Sequence, residues 1–85
     1  MANIENEGLL NKQAIDKNVI AYVVVAISEF AKAHHLSVRE ANNYLRRFKG
    51  IDFLTEHYDV EHLLSFDDSV QDLTQICLNN GGGIQ

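Results

Sequence analysis

His57, Asp59, Glu61 and His62 fall close together in the sequence, and imidazole with carboxylate is a ligand set that zinc accepts. Two histidines five positions apart do not share a helix face. A structural zinc ion normally needs four converging ligands, and no second cluster supplies the remainder. The expectation is no metal and no cofactor. Cys77 could act as a nucleophile with His57 or His62 as its base. It falls, however, on an apolar stripe, where a free cysteine behaves as a small hydrophobe with a raised pKa. Ser65 and Ser69 lack the glycine-flanked elbow of a serine hydrolase. The glycine run Gly81-Gly82-Gly83 follows a helical segment instead of opening one, so it does not read as a phosphate loop. No catalytic constellation emerges, and the chain is not expected to be an enzyme.

Charge is the second candidate. Asp68 and Asp72 lie four apart on one helix face, with Asp67 and Glu61 nearby. Such a face can be plain solvated surface, or it can steer and dock a basic partner. Arg46, Arg47 and Lys49 form the basic cluster, at the end of a helical segment whose negative pole they offset. Asp67, Asp68, Asp72, Arg46 and Arg47 are therefore the candidate partner-binding residues. The alternative is a small helix-turn-helix-like DNA-binding regulator using the second and third helices. Its recognition helix would carry Asp52, Glu56 and His57 and no lysine or arginine, which argues against DNA. Seven basic against twelve acidic residues leave a net charge of −5, with no overall attraction for nucleic acid or an anionic membrane.

These side chains must be held by a small fold. Eighty-five residues make one domain, and 46% hydrophobic with 22% charged residues is a globular composition. Asp16 is a natural N-cap for a helix running to about His34, with Val19, Ile20, Val23, Val24, Ile27, Phe30 and Ala31 as its apolar stripe. Tyr22 and Val25 widen that stripe, which predicts either a central helix or a subunit contact through the first helix. Ser37-Val38-Arg39-Glu40 is a capping box, opening a second helix that buries Val38, Ala41, Leu45 and Phe48. Gly50 is expected to supply the left-handed residue that closes it. Ile51, Leu54 and Tyr58 suggest a short third helix. Asp59 to Leu64 reads as either a helical turn or an irregular connection. Ser65 or Asp67 caps a last helix with Phe66, Val70, Leu73 and Cys77 inward. The fold class is all-α, a compact bundle of about four short helices. Residues 1–15 form an N-terminal extension, 16–80 the helical domain and 81–85 a flexible glycine-rich tail.

The N-terminus is acidic where a secretory signal is basic. The longest apolar run, Val19 to Ile27, is about half of the roughly 20 residues a membrane span needs. One cysteine cannot form an internal disulfide, so a cytoplasmic location with a reduced thiol is expected.

Several stretches then carry a family resemblance. They are Glu29-Phe30-Ala31-Lys32-Ala33-His34-His35, the Leu36-Ser37 that follows, Tyr58-Asp59-Val60 with His62, Ser65-Phe66-Asp67-Asp68, and Asn79-Asn80-Gly81-Gly82. Over about three quarters of its length the chain resembles a family of small bacterial proteins known as domain of unknown function 3791. The resemblance implies no activity. Members are associated with gene pairs whose neighbour looks like an ADP-ribosyltransferase-type domain, which implies an antitoxin or accessory role and a protein partner. It also marks Tyr58, Asp59 and His62 as a structural latch. Asp59 would cap the following segment, and the polar tips of Tyr58 and His62 would anchor the bend.

Overall fold

Asp16 starts the first helix as its sequence suggests: its carboxylate accepts from the Asn18 amide at 2.8 Å. This is a computed structural model, and it describes residues 16–83. The proposed extension at 1–15 and the last two tail residues lie outside the described residues. Helix α1 spans Lys17–His34, α2 Val38–Arg47, α3 Gly50–Glu56, α4 Tyr58–Glu61 and α5 Phe66–Asn79. Among the described residues there is no strand. The described residues form an all-α bundle of four helices of seven or more residues and one short turn of helix, α4.

Local chemistry sets the boundaries. The Ser37 hydroxyl accepts from the Glu40 amide at 3.0 Å, and the Glu40 carboxylate accepts from the Ser37 amide at 2.9 Å. A reciprocal cap of this kind is worth about 1 kcal/mol. At the start of α5 the Ser65 hydroxyl accepts from the Asp68 amide at 3.1 Å, so Ser65 and not Asp67 is the cap.

Two closures differ from expectation. The left-handed residue between α2 and α3 is Lys49, at φ 73°, while Gly50 is the first residue of α3. A Cβ on Gly50 would stand 2.7 Å from Leu45 Cδ2 and 3.2 Å from Cys77 Sγ. Close approach of two helices, not turn conformation, requires that glycine. The second concerns the glycine tail. Gly81 takes φ 102° and the Gly82 amide donates to the Cys77 carbonyl at 2.8 Å, so both glycines finish α5. A side chain on Gly82 would collide with the Tyr44 hydroxyl.

The core is Phe30, Leu45, Leu54, Leu73 and Cys77, all fully buried, with Ala26, Ala31 and Ala41 where helices cross closely. Helix α1 packs on α2 and α5, and α3 packs on both of those. The chain turns by 105° between α1 and α2, so α2 crosses α1 steeply and covers only its C-terminal half. That geometry explains three departures from the expected stripe. Ile20, Val24 and Val38 stay exposed, Val38 to 55%. Tyr22, expected to widen an outer face, instead turns inward and stacks on Phe66 with ring centroids 5.7 Å apart. Among the described residues no single helix is long and apolar enough to cross a membrane.

Candidate functional site

Leu54, Tyr58 and Glu61 follow one another at i, i+4 and i+7, so the short α4 turns its glutamate toward the interior. Leu54 is fully buried, and Glu61 is only 4% exposed. Ser69 stands opposite, on the inner face of α5 between Phe66 and Leu73, and is fully buried. The Tyr22 hydroxyl and the Ser69 hydroxyl are 2.9 Å apart, and Ser69 Oγ donates to the Glu61 carbonyl at 3.3 Å. With Ser69 donating onward, Tyr22 is the donor to Ser69. One hydrogen-bond chain thus runs from α1 through α5 to α4.

The Glu61 carboxyl is only partly satisfied. Its Oε1 is buried without a hydrogen-bond partner. Burial pushes the group up from 4.5 to about 7, helped by a hydrogen bond to Asp72 that holds the proton in place. The negative charges of Asp72 and Asp68 act in the same direction, and the Ser69 hydroxyl opposes them. Burial also raises Tyr22, opposed by its bond to Ser69, with Glu61 and Asp72 adding to the rise. Glu61 therefore keeps its proton to near neutral pH, favoured by burial and by the acidic groups of α5.

The other predicted residues fall into place around this corner or away from it. Tyr58 meets Tyr22 edge-on with centroids 5.5 Å apart, and the His62 ring stacks on Tyr58 at 4.4 Å and 10°. Tyr58 and His62 thus meet their neighbours through their rings, where the sequence suggested polar tips. Asp59 does not cap: α4 has no side-chain cap, and Asp59 lies exposed in its first turn. A residue already inside the helix cannot serve as its N-cap.

The acidic face divides. Asp68 and Asp72 act on Glu61, whereas Asp67 lines a hollow with Glu29, Lys32 and Ala33 of α1. The spacing of α5 accounts for this, since residues one apart project about 100° from each other. Arg46 and Arg47 are exposed at the end of α2, and the Arg47 guanidinium lies 5.3 Å from the Phe48 ring centroid. Among the described residues the ion pair formed is Lys32 with Glu29 at 3.4 Å, so the basic cluster and the acidic face do not pair within the chain.

The remaining candidates are dispersed. His57 packs on Phe53 at 5.0 Å, and His34 bonds Thr74 Oγ1 at 3.0 Å, tying the end of α1 to α5. Among the described residues no three of His, Cys, Asp and Glu are placed to hold a metal ion. Burial pushes the Cys77 thiol up to about 11, partly offset by a hydrogen bond from the Gly50 backbone. A thiol in that state is a poor nucleophile.

Sequence reasoning grouped Glu61 with surface carboxylates and passed over Ser69 as a structural element. Their signal was available: each sits on an apolar stripe, Glu61 three after Tyr58 and Ser69 three after Phe66. The corner also carries apolar side chains in water, with Val60 60% and Leu63 75% exposed and Leu64 beside them. A second exposed apolar hollow is lined by Val24, Ile27, Val38, Arg39 and Asn42 between α1 and α2. Residues 21–80 match the family described as "Protein of unknown function (DUF3791)". No curated protein and no solved structure matches the chain.

Proposed function

We propose that this chain, which belongs to the family described as "Protein of unknown function (DUF3791)", is a non-catalytic protein-interaction module acting on another protein in an accessory or antitoxin-like role. The observation that carries this reading is the amount of large apolar surface left outside the core. Ile20, Val24, Val25, Val38, Val60 and Leu63 are all exposed in a domain of this size. Val24 and Val38 line one hollow between α1 and α2, while Val60 and Leu63 lie together around the end of α4, and grouped exposed apolar side chains mark interaction surfaces. The unpaired basic and acidic groups supply complementary charge for steering and register. The buried, high-pKa Cys77 supports a binding role over nucleophilic chemistry.

The test is co-expression with the product of the neighbouring gene, followed by size-exclusion chromatography. Co-elution as a stable complex supports the reading, and separate elution at micromolar concentrations rejects it. The exposed Ile20, Val24 and Val38 favour a compatible second reading, a homo-oligomer through α1. Light scattering that gives a 9.6 kDa monomer would contradict that one.

A further inference from the structure

We propose that the corner made by α4, the turn after it and the first turn of α5 is the docking surface, and that its occupant is a basic amphipathic segment of a partner protein. The inference rests on the interaction-module reading and names the surface and the partner's chemistry.

Apolar contact comes first. Val60, Leu63 and Leu64 lie within five positions and are exposed, Leu63 more than any other large apolar side chain in the described fold. The Leu63 amide donates to the Val60 carbonyl at 3.1 Å and the Leu64 amide to the Glu61 carbonyl at 3.0 Å. The turn is therefore a formed structure that presents those side chains, not a loose loop. An amphipathic segment docks by placing its apolar face on such a patch.

Charge sets the sign of the partner. Asp59 and Asp68 are exposed at the two ends of the patch, and Ser65 ties the Asp68 backbone to the turn through its 3.1 Å bond. Beneath them Glu61 is nine-tenths buried with an oxygen that finds no donor. The groups that act on Glu61 are Asp72, Asp68 and Ser69 from α5, and Glu61 in turn acts on Tyr22 of α1; none is a cation, and the neighbouring His62 ring stacks on Tyr58. The ion pair formed among the described residues, Lys32 with Glu29, lies on α1. A lysine or arginine brought by the partner meets the exposed Asp59 and Asp68 carboxylates, which form no ion pair among the described residues. A cation there favours the ionised form of Glu61, so binding releases a proton near pH 7. A second copy of this chain is the poorer occupant, since each carries a net charge of −5 and the two repel at long range.

The experiment titrates the isotopically labelled full chain with a Leu/Lys amphipathic model helix and follows backbone amide shifts, with a Leu/Glu helix of the same pattern as the charge control. Expected shifts map to residues 59–68 and 72 and fail to appear with the Leu/Glu helix. Leu63→Asp, at an exposed position that the fold does not need, should weaken binding at least about tenfold by removing a leucine contact. Val24→Asp, in the α1–α2 hollow, should leave it unchanged. Calorimetry near pH 7 in two buffers of different ionisation heat should show proton release that Glu61→Gln abolishes. The proposal is overturned by shifts centred on Val24 and Val38, by equal weakening from both aspartate variants, or by L63D binding like wild type. If the neighbouring gene product co-elutes with L63D as well as with wild type, the interaction module stands and this surface does not. If the model helix binds here but no natural complex forms, the loss falls on the proposed role alone.

Discussion

Replacing Glu61 with glutamine should make the protein more stable at pH 8 and change little at pH 4.5. Folding raises the carboxyl from 4.5 to about 7. The native state therefore keeps a proton that the unfolded chain releases between those values. The sign follows from linkage: stability is full below pH 4.5, declines as pH rises to about 7, and is flat above. At about 1.4 kcal/mol per pKa unit the upper bound is about 3 kcal/mol. Water at the edge of the corner reduces this to about 2 kcal/mol, since partly solvated charges are screened. Glutamine does not ionise, so the variant has no such penalty. Urea denaturation at half-unit pH steps isolates the effect as a difference between two curves. In thermal melts at pH 8 the gain corresponds to about 10 °C for a domain of this size. Parallel curves for wild type and Glu61→Gln across this pH range would refute the raised Glu61 and the reasoning built on it.

Three further outcomes follow from the backbone and the core. Lys49→Gly and His35→Gly should each stabilise the fold by up to about 1 kcal/mol in urea titrations, because both positions hold left-handed backbone at φ 73° and 56° that costs a side chain about that much. Gly50→Ala should destabilise by about 1–3 kcal/mol, since its methyl would press on Leu45 at 2.7 Å and the core must shift to admit it. Cys77, fully buried with its thiol raised to about 11, should resist a thiol reagent at pH 8 and react at once in denaturant.

The capping residues were the most legible part of the chain. Asp16, Ser37 with Glu40, and Ser65 all act where spacing placed them, because a cap is a local contact between near neighbours in sequence. The central stripe of α5 was readable for the same reason. What depends on the angle between helices was not. Val38 and Val24 fit the helical period, yet the 105° turn between α1 and α2 leaves them in water. Gly50 looked like a turn residue and is a packing residue, a distinction that needs the position of Cys77 on a different helix. The acidic face read as one surface because i and i+4 neighbours were counted without α4, whose placement draws Asp68 and Asp72 to Glu61 and leaves Asp67 on the side of Lys32. Glu61 itself was hidden by residue type. Glutamate on an apolar stripe is read as surface unless its neighbours at i−3 and i−7 are weighed, and here they are Tyr58 and Leu54.

The claim that this chain works through contact is tested most directly by calorimetric titration against the purified product of the adjacent gene, at low and at high salt. The expected result is saturable one-site binding with Kd of about 1 μM or tighter that weakens as salt rises. The absence of any saturable heat at hundreds of micromolar would contradict the account.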